Sequence, residues 1–362
     1  MKSNDTPQDA GNQNRRGFLK TGAASIAAGL SAGVVAPSAS GEVTSTENTP
    51  AAAKAIQEMM PTRNLGKTGF RVGIFGLGGQ GALEKANNES LALQMIQRAL
   101  ELGVNYFDTS IYGGSDRWSE RYLGKGLKGS RDHVFIASKT KERTRDAALK
   151  NLEVSLKLLD TDHIDTGQLH DVGIKEDIDQ IFGKGGAIEA LVQARDQKMV
   201  LHLGVTGRFR PEALIECINR FPFDTVLMGV NAADKYYYSF EKDLLPLAVE
   251  KQMGIIGMKV MARGRILSSW TPPPVEEQKH SWEGRGAIAT TPGTLTKQET
   301  FYYNLSLPIS TAIIGCDSVE QVDECVELAR SFTPLSQTQM AALEAKVEPV
   351  AKQSLFFRLM PR

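Results

Sequence analysis

The chain has no excess of either charge: Lys plus Arg and Asp plus Glu number 42 each in 362 residues. That balance gives no overall field for nucleic acid or an anionic membrane and points to a small-molecule partner. Cysteine is scarce. The three present, Cys217, Cys316 and Cys325, fit no metal-ligand spacing and cannot all pair with one another, so neither a metal site nor a disulfide is expected. Long apolar runs are lacking as well. The stretch from Thr21 to Ala36 is short and Gly-rich against the roughly 20 apolar residues a membrane span needs, so no stable span is expected in the mature chain.

That stretch has another reading. Asn14-Arg15-Arg16-Gly17-Phe18-Leu19-Lys20, followed by the Ala- and Gly-rich run and small residues through Ser40, resembles a twin-arginine export signal cleaved near Ser38 to Gly41. No Cys stands there to accept a lipid. The expected division is a signal at 1–40, a linker at 41–61, a folded domain at 62–350 and a C-terminal tail at 351–362. The signal implies the twin-arginine translocation machinery as a partner and a periplasmic or otherwise exported location.

Beyond the linker, eight apolar runs suit buried strands: Val72–Leu77, Val104–Phe107, Val134–Ala137, Ile164–Leu169, Leu201–Val205, Thr225–Met228, Gly254–Met258 and Thr311–Ile314. Helical stretches separate them, among them Ser90–Glu101, Arg145–Leu159 and Ile174–Gln197. Strands alternating with helices, eight times over, predict a single α/β domain built as a parallel (β/α)8 TIM barrel. A turn at Lys67-Thr68-Gly69 predicts a hairpin closing the bottom of the barrel. After the seventh run, Ser268 to Thr294 has no period and carries Trp270 and Trp282; a loop of this length on the active face reads as a lid or binding segment.

Four polar residues stand just past the second to fourth runs: Asp108, Tyr112, Lys139 and His170. In a parallel barrel the C-terminal strand ends converge on one face, so the four share a site. A phenol titrates near pH 10 and is a reluctant acid unless a cation favours its anion. Lys139 can supply that charge, Asp108 can hold the lysine as an ion pair, and His170 can donate to a substrate oxygen. The set suits protonation of a carbonyl oxygen.

These segments carry a family resemblance. Phe107-Asp108-Thr109-Ser110-Ile111-Tyr112-Gly113, Ala137-Ser138-Lys139-Thr140 and Gln168-Leu169-His170-Asp171 resemble the catalytic segments of the aldo/keto reductases, and the likeness runs from Arg63-Asn64-Leu65-Gly66 to Ala312-Ile313-Ile314-Gly315. The resemblance implies hydride transfer between a nicotinamide nucleotide and a carbonyl compound. Tyr112 would be the general acid, Lys139 and Asp108 the pair that lowers its pKa, and His170 the group that orients the carbonyl. One departure stands out: Tyr follows Asp by four residues here, where the family usually has five.

The resemblance also implies the cofactor residues. Gly315, Asp317, Ser318, Gln321 and Glu324 match the segment that holds the adenosine phosphate, where a helix N-terminus offers free N–H groups. The family often has Arg or Lys there; this chain has Asp317 and Gln321, and Cys325 where Asn is common. NADP is the implied cofactor, with NAD as the alternative. Gly78 and Gly79 follow the first run, Thr206-Gly207 takes the place of a Ser-Asn pair that grips the carboxamide, and Met258 to Gly264 replaces a stretch with an aromatic stacking residue. Lys259 and Arg263 would contact the pyrophosphate.

Two rival readings remain at this level. Gly76-Leu77-Gly78-Gly79-Gln80-Gly81 matches G-x-G-x-x-G after a strand, as in a Rossmann-type sugar oxidoreductase, although Ala82 to Glu89 separates the last Gly from the helix. An exported barrel could also bind a ligand or do acid–base chemistry without redox, since free nicotinamide nucleotide is not expected outside the cytoplasm.

Overall fold

Strands buried on both faces read as continuous apolar runs, and in the computed structural model, which describes residues 60–360, they fold accordingly. Strands β1 (Thr62–Asn64) and β2 (Arg71–Gly73) form an antiparallel hairpin. Then β3 (Phe75–Gly78), β4 (Tyr106–Asp108), β5 (Phe135–Thr140), β6 (Ile164–Leu169), β7 (Val200–Gly207), β8 (Thr225–Gly229), β9 (Gly254–Met258) and β10 (Thr311–Ile314) close in chain order into a parallel barrel, β10 lying against β3. This is the expected (β/α)8 architecture, and a closed barrel rules out the open, doubly wound sheet of the Rossmann reading. The signal read at 1–40 and nearly all of the linker lie outside the described residues.

The hairpin plugs the bottom. Leu65 N–H donates to Phe70 O at 2.9 Å across its turn. Gly66 sits at φ 54°, and a Cβ there would lie 2.2 Å from Gly254 N, so only glycine lets the turn rest on the start of β9. Leu65 and Val72 join Tyr106, Phe135, Ala137, Leu227, Ile256 and Ile313 in a cluster inside the barrel. Tyr106 and Phe135 stack there with ring centres 5.6 Å apart.

The helices face the strands with the expected period. In Glu89–Glu101 the buried positions are Ala92, Met95, Ile96 and Ala99, an i, i+3, i+4, i+7 stripe that packs on the barrel. Two boundaries differ from the sequence reading. The run Val72–Leu77 is two strands, because the hairpin's second strand ends at Gly73 and the first barrel strand starts at Phe75. The stretch Ile174–Gln197 is two helices, Lys175–Phe182 and Ala187–Asp196, parted at Gly183 to Gly186; Gly185 has φ +71°, and a Cβ on Gly186 would lie 2.2 Å from Ile181 O.

Segment 268–294 is more ordered than its sequence indicates, with a helix at Val275–His280 and a 3-10 turn at Glu283–Arg285. The chain beyond 350 is packed in as far as 360. Phe356, Phe357 and Arg358 are buried, Arg358 pairs with Asp234 and donates to Gly229 O at 2.6 Å, and Gln353 Nε2 donates to Arg265 O at 2.8 Å.

Candidate active site

Side chains alternate across a strand, so residues two apart share a face. Tyr106 and Phe135 point into the barrel; Asp108 and Lys139 therefore point in as well, one and two layers higher, at the C-terminal mouth. There Lys139 Nζ donates to Asp108 Oδ1 at 2.6 Å and to Thr109 O at 2.7 Å. Both side chains are buried. His170, just past β6, places Nδ1 3.2 Å from Ser110 Oγ. Its ring meets that of Tyr112 edge-on, with centres 6.2 Å apart, and the Lys139 ammonium lies 5.5 Å from the centre of the Tyr112 ring. All four sequence-derived residues converge.

The Tyr112 loop is short and tightly turned. Tyr112 N–H donates to Ser110 O at 2.6 Å, and Gly113, Gly114 and Arg117 take φ of 90°, 69° and 55°. Left-handed backbone at two consecutive glycines turns the chain sharply after Tyr112, and the ring reaches the site.

The electrostatics differ from the expectation in one respect. Burial and the Asp108 carboxylate hold the Tyr112 phenol well above its ordinary value, and Arg208 is the cation that pulls it down. Lys139 is engaged with Asp108 and lies at the ring. Burial lowers Lys139, while Asp108 and Glu120 raise it. Burial first, then Lys139, Lys141, Arg208 and Arg143, hold His170 well below the usual imidazole value, so it is neutral at pH 7.

The mouth also gathers the residues assigned to the cofactor. Gly78, Gly79 and Gly315 lie where β3 and β10 end; a Cβ on Gly78 would sit 3.0 Å from Gly315 N, and one on Gly79 would sit 2.4 Å from Ser119 Oγ. These glycines are required for backbone packing. Gly76 to Gly81 opens no long helix: only the 3-10 turn Gly81–Glu84 follows directly. Thr206 Oγ1 accepts from Asp171 N–H at 2.9 Å, which secures the backbone after His170, and a Cβ on Gly207 would lie 2.7 Å from Val172 O.

Lys259 spans the mouth to Gln80 Oε1 at 3.3 Å, and burial followed by Arg208 and Arg263 pushes its pKa down to about 7. The guanidinium of Arg208, the Lys259 ammonium and the guanidinium of Arg263 lie 5.1, 5.8 and 5.5 Å from the Trp282 ring centre. Arg208 also pairs with Asp171 at 2.9 Å, and Arg263 with Glu283 at 2.5 Å. Trp282 packs edge-on against Phe356, and Trp270 packs near the Arg265 guanidinium. Both indoles of the long loop are thus engaged within the protein. Gathered cations around a partly uncompensated lysine fit an anionic diphosphate.

At the far end of the site, Ser318 caps the helix Val319–Arg330 by accepting from Gln321 N–H at 3.4 Å, and Gln321 Oε1 accepts from Asp317 N–H at 2.9 Å. The cations absent from this segment come from elsewhere in the chain. Lys85 pairs with Asp317 at 2.8 Å, and Lys297 pairs with Glu324. Sequence reasoning missed both lysines, since they lie 232 and 27 residues from their partners. It also missed Arg208 and Glu120. Cys316 and Cys325 are free and buried.

The model of the aldo/keto reductase family matches residues 72–348. The chain is 29% identical over 316 residues to an L-galactose dehydrogenase of Arabidopsis thaliana, covering 80% of this chain and 94% of that one. It is 24% identical over 314 residues to the uncharacterized oxidoreductase YqkF of Bacillus subtilis, covering 79% and 96%. Among solved structures, the holo form of an aldo-keto reductase from Bacillus halodurans superposes with a TM-score of 0.64 at 23% identity, covering 80% of this chain and 96% of that one. An aldo-keto reductase from Klebsiella pneumoniae in complex with NADPH gives 0.62 at 20% identity, covering 80% and 95%.

Proposed function

The chain belongs to the aldo/keto reductase family and is an NAD(P)-dependent oxidoreductase of carbonyls and alcohols; we propose that NADP is its nucleotide, a sugar-like carbonyl compound its substrate, and the periplasm or another exported space its location. The observation that carries the reading is the buried pair of Lys139 and Asp108, 2.6 Å apart, with Tyr112 and His170 beside it at the barrel mouth. Lys85 and Lys297 beside Asp317 and Glu324 support NADP, because each can turn toward an added phosphate. Relatives that bind NADPH or act on L-galactose are consistent with both choices. The Arg15-Arg16 segment supports export through the twin-arginine machinery.

In reduction the hydride for the carbonyl carbon would come from a nicotinamide nucleotide when one is bound. The protein's own groups handle the oxygen. Tyr112, whose phenol keeps its proton to high pH, donates it to the developing alkoxide. Neutral His170, its Nδ1 held at Ser110, hydrogen-bonds the same oxygen and fixes the carbonyl plane. Lys139 steadies the charge next to the phenol, and Asp108 keeps it in place. Lys259, Arg263 and the Ser318 helix start would hold the nucleotide.

Titration of the purified chain with NADPH and NADH, followed by tryptophan quenching, tests the cofactor. Tight NADPH binding is expected; a folded sample that binds neither nucleotide overturns the reading. For export, replacing Arg15 and Arg16 with Lys should retain the protein in the cytoplasm on fractionation, and unchanged partitioning would sink that part.

A further inference from the structure

Helix Trp118–Gly126 follows the Tyr112 loop, and its first turn turns inward. Glu120 is fully buried although it lies in the charged run Asp116 to Arg121. One of its oxygens, Oε1, accepts from Ser138 Oγ at 2.7 Å. The other, Oε2, lies 2.5 Å from Arg117 Nε. Arg117 is itself buried, stands in left-handed backbone at φ 55°, and donates to Ser155 Oγ at 2.5 Å. Beside Glu120, Ser119 Oγ lies 2.8 Å from Thr109 Oγ1.

These contacts fall on the neighbours of the reacting groups. Ser138 precedes Lys139 on β5, and Thr109 follows Asp108 and accepts from the Lys139 ammonium through its carbonyl. One helical turn therefore grips both strand ends that carry the buried ion pair. The charges alternate through the protein: Arg117 positive, Glu120 negative, Lys139 positive, Asp108 negative. A buried carboxylate beside a buried Arg is costly to maintain without a second use, and a left-handed Arg adds backbone strain.

On the oxidoreductase reading given above, we propose that Glu120, clamped by Arg117, is a positioning residue that fixes Ser138 and holds the Lys139 ammonium charged and in register with Tyr112. Glu120 touches neither substrate nor nucleotide. It acts through Lys139, which is faced by Asp108 from β4, Tyr112 from the loop, His170 from β6 and Glu120 from the helix, with Arg117 behind Glu120 and Lys259 across Asp108. Removing the Glu120 carboxylate withdraws negative charge from the lysine, so its proton leaves at lower pH. Ser119 N–H, next to Glu120, donates to Tyr112 O at 3.4 Å, so the same helical turn links the Tyr112 segment to β5.

The test uses three variants of the full chain. Glu120→Gln alone leaves Arg117 buried and uncompensated and can fail to fold. Arg117→Met with Glu120→Gln removes both charges together, and Ser138→Ala cuts the link while leaving the ion pair. In the folded variants, kcat for carbonyl reduction should fall by about tenfold or more with KM and the NADPH dissociation constant unchanged. The alkaline limb of the kcat profile should move to lower pH in the double variant. A readout independent of turnover is the Lys139 Nζ resonance in protein carrying 15N-lysine, assigned through Lys139→Arg, whose titration midpoint should drop in the double variant. An unmoved midpoint, or kcat within twofold of the parent in every folded variant, overturns the role of Glu120. Failure of the parent to bind either nucleotide would count against the oxidoreductase reading instead, and the resonance would still decide the positioning of Lys139.

Discussion

Lys139 Nζ lies 2.6 Å from Asp108 Oδ1 and donates also to Thr109 O, so two of its three N–H groups are held by the strand next to its own. Both partners are buried; burial raises the Asp108 carboxyl and lowers the Lys139 ammonium, and each partner opposes the shift of the other. Breaking such a pair from one side leaves a bare charge inside the protein, which costs roughly 3–5 kcal/mol. Asp108→Asn should therefore lower stability by about that amount in urea denaturation and abolish turnover. Asp108→Leu with Lys139→Met should recover most of the stability and none of the activity. Equal stability loss in the double and the single variant would mean that the pair contributes by shape and not by charge.

Of the four, Tyr112 carries the hydroxyl that the proposed reaction uses as its acid, with a neutral His170 beside it. In the proposed mechanism its hydroxyl acts in the chemical step, while its ring packs edge-on against His170. Tyr112→Phe keeps the ring, so NADPH binding should stay within twofold while kcat drops by at least about 100-fold, the usual size of a general-acid contribution. Steady-state kinetics beside a binding titration checks it. Retained turnover would remove the phenol from the mechanism.

The fold was legible because short stretches rich in apolar residues recur eight times between helical stretches, and an Asp, Lys or His just past such a stretch stands out against it. The junction at Ile74 was not legible, since Val72, Ile74, Phe75 and Leu77 read as one apolar run and the Gly73 that ends the hairpin strand looks no different from Gly76 inside the barrel strand. The break in 174–197 did have a signal, the glycines at 183, 185 and 186. Glu120 was hidden for a different reason: it sits among Asp116, Arg117, Arg121 and Lys125 in a stretch that reads as a solvated helix face, and only the packing of that helix on β5 buries it. Lys85 and Lys297 carry no local pattern at all; their meaning lies in pairs made across the fold.

Lys259 gives a pH signature for nucleotide binding. Burial, Arg208 and Arg263 push it down to about 7, far below an ordinary lysine. With the folded pKa below the unfolded one, the folded state sheds a proton that the unfolded state keeps, so this residue lowers stability as pH falls from about 10.5 toward 7. A diphosphate next to it favours the ammonium. Binding of NADPH at pH 8 should then take up protons, seen in calorimetry as a heat that varies with the ionisation enthalpy of the buffer. Lys259→Met should erase that dependence and weaken binding. Proton release, or none, in the parent would place Lys259 away from the nucleotide.

Glu241 sets a second pH dependence, remote from the chemistry. It accepts from Tyr303 O–H at 2.8 Å, and the same hydroxyl lies 3.0 Å from Glu344 Oε1, so two carboxyl groups share one phenol. Burial, then the neighbouring Asp234 and Glu344 charges, push Glu241 up to about 7, with the Tyr303 hydrogen bond opposing. A raised carboxyl pKa means that the folded state holds the proton more tightly, so the contribution is neutral below the unfolded pKa and becomes destabilising as pH rises toward 7. Between about pH 4.5 and 7 this group should cost roughly 1–2 kcal/mol, allowing for its partial access to water. Glu241→Gln keeps an acceptor for Tyr303 and cannot ionise. Urea midpoints taken across that range should therefore fall less steeply with pH in the variant than in the parent, while kcat for carbonyl reduction stays the same. Parallel curves would show that Glu241 is ionised throughout, and the shared phenol would then be bridging two full charges.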